Sequence, residues 1–229
     1  MRVEPFTVDS YVHCLKRGAR GFPIVNEDAD MHRYHRALFY MNDTHVDENW
    51  SRQTKHFDRL SEWPERTPLV KILAYILMPN HIHLLLKEIQ EGGISLFMKK
   101  FGNSVTGYYN EKYNNKGSIF QGSYKGKTID EDMYLRYLAV YIMVKNAFEL
   151  FPGGLKKAVE NFEDAWLFAV QYPFSSLGDY VIARNSPVID KEILGELWSG
   201  PKEFKKFARE VMEGRNVEIG EDFKALTLE

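Results

Sequence analysis

The sequence predicts an α+β fold: a ferredoxin-like split βαβ core with an antiparallel sheet, followed by a C-terminal helical extension. Three observations carry this. Apolar periodicities in the first part of the chain alternate in the order β-α-β-β-α-β-α, the order of a split βαβ unit. The two central apolar runs are separated by Met78-Pro79-Asn80 alone, so they form a hairpin. Beyond Phe151-Pro152-Gly153-Gly154 the pattern is helical only. The division expected is a core over residues 1–150 and an extension over 151–229 packed on or following it.

Residues 8–16, with Tyr11, Val12 and Leu15, read as the first strand, ended by the basic turn Arg17-Gly18-Ala19-Arg20-Gly21. Met31, Tyr34, Leu38 and Met41 have helical spacing, which predicts a helix over 28–42. Residues 43–68 are polar, with Phe57, Leu60 and Trp63 suggesting a further helical turn or two. Residues 70–78 are apolar on both faces, as in a buried central strand, and 81–87 form its hairpin partner. Ile94, Phe97, Phe101, Val105 and Tyr108 make one stripe of a helix over 94–114. Residues 119–129 suit an edge strand, Asp130 an N-cap, and 131–145 a helix carrying Tyr134, Tyr137, Leu138 and Tyr141. A helix over 155–170 and two shorter patterns near 190–198 and 201–214 complete the extension.

Composition excludes several functions. Thirty Lys and Arg against 32 Asp and Glu give a net charge of -2, so the chain is no globally basic binder and any polyanion site is local. Cys14 is the only cysteine, which excludes intrachain disulfides and cysteine-based zinc sites. No apolar run approaches the roughly 18 residues of a spanning helix. The N-terminal Met1-Arg2-Val3-Glu4-Pro5 has no signal-like apolar segment. A cytoplasmic protein with no membrane partner is expected.

Three local patterns carry chemistry. Alternation along a strand puts His81 and His83 on one face about 6.6 Å apart, close enough for both imidazoles to reach one cation. Two imidazoles leave a coordination sphere open, and open positions suit catalysis; the competing reading is a pair of satisfied, half-buried histidines. Between Lys99 and Lys127, the lysines Lys99, Lys100, Lys112, Lys116, Lys125 and Lys127 face one acid, Glu111, an excess of five positive charges. Aromatic residues interleave with them, with Tyr109, Tyr113 and Tyr124 as open candidates for stacking on bases and Phe101 and Tyr108 better placed in the core. His32 and His35 share a helical face whose polarity favours a surface role. Finally, a phenol beside a cation can attack a phosphodiester, and spacing alone does not choose among Tyr134, Tyr137 and Tyr141.

The string Tyr75-Ile76-Leu77-Met78-Pro79-Asn80-His81-Ile82-His83-Leu84-Leu85-Leu86 closely resembles the signature of single-tyrosine HUH transposases, above all the REP-associated tyrosine transposases. Matching stretches occur in the same order: His13-Cys14-Leu15-Lys16-Arg17-Gly18, Gly92-Gly93-Ile94-Ser95, Gly117-Ser118-Ile119-Phe120-Gln121-Gly122, Tyr141-Ile142 and Tyr172-Pro173-Phe174-Ser175-Ser176. The resemblance spans about residues 8–182. It implies cleavage and rejoining of single-stranded or hairpin DNA through a covalent 5′-phosphotyrosine, with Mg or Mn on the histidine pair. Residue by residue it implies His81 and His83 as metal ligands and Tyr141 as nucleophile. Arg17, Gln121 and Lys145, with Lys99, Lys100, Lys112, Tyr113, Lys116, Tyr124, Lys125 and Lys127, are expected to contact DNA. Two departures stand out. Where the family has an amide ligand one helical turn after the tyrosine, this chain has Lys145 with Asn146 next to it, so that either Asn146 takes over as ligand through a local shift, or Lys145 contacts the DNA phosphate, or metal binding is weakened. Ser123 replaces the basic residue usual after Phe-Gln. A catalytically weakened, DNA- or RNA-binding regulator is the alternative, and a monomer or homodimer is expected.

Overall fold

The computed structural model of the protein describes residues 6–45, 65–214 and 228. The four strands are β1 (Tyr11–Arg17), β2 (Val70–Leu77), β3 (His81–Glu88) and β4 (Lys125–Ile129). They form one antiparallel sheet in the order β2-β3-β1-β4. That order inserts β3 between β1 and β2, and β1 between β3 and β4, as the split βαβ reading predicts. The expected edge strand over 119–129 is shorter: only Lys125–Ile129 pairs along β1, because the preceding Ser118–Tyr124 is a loop tied back by the bridge between Gly18 and Phe120.

One face of the sheet carries α1 (Asp28–Tyr40) and α2 (Gly93–Tyr113). Ile94, Phe97, Phe101 and Val105 are fully buried there, against Val12, Cys14, Ile82, Leu84 and Leu86. Burying each such side chain contributes about 1.5–3 kcal/mol, which holds α2 flat on the sheet. The opposite face carries a long irregular helix. It begins as α3 (Asp132–Val140), passes through a π-helical turn at Tyr141–Lys145, and ends as α4 (Asn146–Glu149). Glu131, not Asp130, is its N-cap residue.

The extension is built onto the same body. The helix expected over 155–170 is two, α5 (Gly154–Glu160) and α6 (Phe162–Gln171), broken at Asn161, where φ is -118° and ψ 53°. The pattern near 190–198 is a single 3₁₀ turn, Glu192–Gly195. Short α7 (Leu177–Val181) and α8 (Pro201–Met212) follow the chain to its last described helix. The connecting segment runs along the open edge of β2: Leu77 N–H donates to Phe174 O (2.9 Å), Ser176 N–H to Tyr75 O (3.0 Å) and Asp190 N–H to Ile72 O (3.0 Å). An edge that would otherwise expose unpaired backbone is thereby satisfied. Phe57, Leu60 and Trp63 lie outside the described residues. Among those described, no helix is long and apolar enough to cross a membrane.

The surface reading holds for His32, which is exposed, and fails for His35, which is partly buried. His32 packs its ring on Phe174 (centroids 4.9 Å), and His35 hydrogen-bonds the Tyr75 hydroxyl through Nε2 (2.8 Å). Burial, with Arg184 close by, pulls the His35 imidazole down from 6.5 to about 4. Asp179 opposes this, while His32 and Arg36 act in the same direction as Arg184. The unfolded chain therefore takes up a proton near pH 6.5 that the folded chain refuses until about pH 4. The contribution is fully present above that window and lost as pH falls through it, by up to about 1.4 kcal/mol per pH unit. Thermal unfolding between pH 7 and 4 should show this slope, and His35→Gln, which keeps a hydrogen-bonding group toward Tyr75 but does not titrate, should flatten it by about one proton. Equal slopes in the two proteins would refute the assignment.

Candidate active site

Alternation and register together place the site. On β3, His81, His83 and Leu85 share a face. Across the pairing they lie opposite Arg17, Leu15 and His13 of β1, and Leu15 and His13 lie opposite Lys125 and Lys127 of β4. This is the face covered by the irregular helix. His13 and His83 are fully buried, and His81 is 5% exposed.

Each histidine of the pair is oriented through Nδ1. Asn80 Oδ1 accepts from His81 Nδ1 at 2.6 Å, while Asn80 Nδ2 donates to Gly21 O at 3.3 Å, so the amide is fixed at both ends. A neutral His81 then carries its lone pair on Nε2. His83 Nδ1 is hydrogen-bonded to His13 Nε2 at 2.8 Å. When His83 is the donor, its lone pair also falls on Nε2. Burial first, then the neighbouring charges of His13, His81, Lys145 and Arg17, hold the His83 imidazole well below its ordinary value and keep it neutral. Metal-binding histidines are typically oriented in this way, by a hydrogen bond on the second nitrogen.

Of the three tyrosines, Tyr141 alone meets this cluster. Its ring stands edge-on to His83 (centroids 5.4 Å) and His13 (6.0 Å), whereas Tyr137 packs on Phe207 and Tyr134 borders the extension's core. Tyr141 opens the π turn, in which Asn146 N–H donates to Tyr141 O, a bond from residue i+5 to i. A π turn absorbs one extra residue without breaking the helix. One turn beyond Tyr141 the helix therefore presents both Lys145 and Asn146. Asn146 is fully buried, and neither its Oδ1 nor its Nδ2 has a hydrogen-bond partner among the described residues. Lys145 reaches over Tyr141, with Nζ 4.9 Å from the ring centroid and 2.7 Å from Glu149 Oε1. An open cleft of about 570 Å³ adjoins His81 and is lined also by Arg17, Asn80 and Glu149.

The basic segment divides between the two faces of the sheet, correcting the expectation that it forms one patch. Lys125 and Lys127 are exposed and project on the histidine face. Lys112 instead binds Glu27 and Asp30, Tyr113 donates to the buried Asp30 (2.7 Å), and Lys100 donates to Asp43 O. Lys112 and Tyr113 thus hold α2 to α1, and Lys100 holds it to the loop that follows α1. Lys99 and Lys116 are exposed on or beside α2, away from Tyr141, and Tyr124 is hydrogen-bonded to Ser95 (3.1 Å). Gln121 is exposed, its backbone N–H donating to Arg17 O (2.9 Å). His13 and Asn80 are the residues that sequence reasoning left out. Asn80 lay in view as a turn residue inside the signature; His13 needed the β1–β3 register.

Among the described residues no three His, Cys, Asp or Glu side chains gather as a metal site, so a cation here would need the histidine pair with the amide. The chain matches the family described as "Transposase IS200 like" over residues 32–145, about half its length. Among solved structures it is similar to a REP-associated tyrosine transposase bound to a REP hairpin, at 15% identity and a TM-score of 0.42, covering 82% of this chain and 88% of that one. A candidate transposase from Deinococcus radiodurans R1 is similar at 16% identity and a TM-score of 0.33, covering 60% of this chain and 93% of that one. No curated protein matches. With the family's match running from α1 through the tyrosine to Lys145, across both histidines, the chain belongs to the IS200-like transposases.

Proposed function

We propose that this transposase cuts and rejoins single-stranded or hairpin DNA through a covalent 5′-phosphotyrosine on Tyr141, with Mg or Mn held by His81, His83 and Asn146. The reading is carried by one observation: Tyr141 stands edge-on to the oriented His83, which lies beside His81, and opens a π turn whose buried Asn146 amide has no hydrogen-bond partner among the described residues. The donor set of two imidazoles and one amide oxygen fits a divalent ion, and Mn suits imidazole better than Mg. When bound, such an ion supplies Lewis-acid polarisation of a phosphate oxygen.

The residues of the chain account for the rest. Tyr141 Oη attacks phosphorus, the P–Oη bond forms as the P–O3′ bond breaks, and the proton lost by the phenol is balanced by the one gained by the 3′ oxygen. A 3′-hydroxyl of a second end reverses the step and restores a phosphodiester, so no water is consumed. Lys145 lowers the cost of phenolate through its position over the ring, and Glu149 holds it there. Asn80 and His13 are positioning residues acting through the imidazoles. Arg17, Lys125 and Lys127 offer phosphate contacts on the same face.

Three outcomes are expected. Incubated with hairpin DNA and Mn, the native protein should form a covalent adduct visible as a gel shift under denaturing conditions, and Tyr141→Phe should form none; an adduct in the variant would transfer the role to another residue. DNA binding without any adduct, insensitive to chelator and to His81→Ala, would instead establish the regulator. Asn146→Ala should weaken Mn binding roughly tenfold by calorimetry, while deletion of Lys145, which restores a plain α-helix and keeps Asn146 one turn beyond Tyr141, should leave it near native; unchanged affinity in Asn146→Ala would remove the amide from the ligand set. Lys145→Met should slow adduct formation about tenfold at pH 7 and recover toward pH 9, as ionisation of the phenol moves to higher pH. A uniform loss across pH would confine Lys145 to DNA binding.

A further inference from the structure

On the α1–α2 face of the sheet, far side from Tyr141, a cavity of about 370 Å³ opens between α2 and the 118–124 loop. Its volume lies within the roughly 300–1,000 Å³ of small-molecule sites. Its floor is unusual. Lys16, alternating with Val12 and Cys14 on β1, is only 9% exposed, and Nζ is held by Gly122 O (3.3 Å) and the Phe120 ring (4.5 Å to the centroid). The cavity wall contains no Asp or Glu, and Lys99 adds a second cation at the rim. Burial pulls the Lys16 ammonium down, a cost that an arriving anion would relieve. Helix α2 is notched for this lysine: a Cβ on Gly102 would lie 2.8 Å from Lys16 Cε. Thr106 and Ser123 supply hydroxyls, and Met98 and Tyr124 supply apolar surface.

We infer that this cavity binds one nucleotide of the DNA strand, its phosphate on Lys16 and Lys99 and its base against Met98 and Tyr124. The strand reading is favoured over a free nucleotide by what adjoins the cavity. Tyr124 leads directly into β4, the edge strand of the sheet, whose Lys125 and Lys127 project on the opposite face beside Leu15 and His13, Lys125 Nζ also donating to Leu228 O (3.1 Å). A strand crossing that edge meets cations on both sides of it. The inference rests on the DNA-handling reading above, but not on the chemistry of Tyr141.

The test uses fluorescein-labelled (dT)12, its salt-dependent anisotropy, and photocross-linking of the same oligonucleotide carrying 5-iododeoxyuridine. Lys16→Met should weaken binding about five- to tenfold and reduce the salt slope by about one. Lys99→Ala, at an exposed position where unfolding is not a concern, should act in the same direction, and a cross-link mapped to Tyr124 or Met98 should be lost in Lys16→Met. Native affinity and slope in both variants, with no cross-link between residues 95 and 124, would overturn the site. Thymidine 5′-monophosphate competing for the cross-linked position as well as (dT)12 does would overturn the strand assignment in favour of a free nucleotide. Phosphotyrosine formation is scored separately in the native protein: DNA binding through this cavity without an adduct sinks the strand-transfer mechanism alone, and an adduct formed with cavity-independent binding sinks the cavity alone.

Discussion

The register of β1 against β3 is the constraint on which the site depends. Leu15 opposite His83, and His13 opposite Leu85, put three imidazoles on one face, and the same pairing sends Val12, Cys14 and Lys16 to the other. A slip of one residue would exchange the faces of the whole strand. It would separate His13 from His83, bury Arg17 and expose Lys16 on the wrong side. Both candidate sites are thus written by a single choice of register, the catalytic one on the face of the π turn and the cavity on the face of α2. Fully buried apolar residues on both sides of β1 and β3 make that choice costly to change.

Against this register, the helix makes a local compromise. An α-helix through Tyr141 would carry Lys145 to the same face, and a lysine has no lone pair to offer a cation when protonated. The π turn accepts a less regular backbone, with Asn146 N–H closing it onto Tyr141 O, and so gives the proposed amide ligand its place in the helix. Its cost is one weaker hydrogen-bond pattern in a helix already fixed by Ile142, Met143 and Val144, all fully buried. Lys145 stands over the phenol and is balanced by Glu149 on the next turn.

Much of this was legible in the residues. Hairpin, strand alternation and the helical stripe of α2 follow from periodicity, because one face of each element is uniformly apolar and the periods of 2 and 3.6 do not mimic one another. The strand order follows from β-α-β-β-α-β with little freedom left. What failed did so for definable reasons. Lys112 and Lys125 are close in sequence, but the sheet lies between them, so a charge count along the chain merged two surfaces. Tyr113 and Lys112 were claimed by Asp30, more than eighty residues earlier, through contacts no local pattern announces. His13 meets His83 across 70 residues of sequence. Asn161 has no proline or glycine to mark the break between α5 and α6. Tyr141 could not be told from Tyr134 and Tyr137 by spacing, since the three differ only in which part of the sheet or extension each reaches.

The two edges of the sheet are treated oppositely, and the difference has a functional direction. At β2 the extension supplies backbone partners from Phe174 to Asp190, and hydroxyls of Tyr172 and Tyr180 donate to Leu77 O and Leu73 O. That edge is closed. β4 is short, and Lys125, Gly126 and Lys127 give it two charges and no bulky side chain. Such a strand resists pairing with a second sheet, because lysines on an edge oppose stacking. On the path proposed above, a bulky or acidic β4 would obstruct the turn from the histidine face to the Lys16 cavity. A net charge of -2 for the whole chain is compatible with this because only the few residues along that path need to be positive.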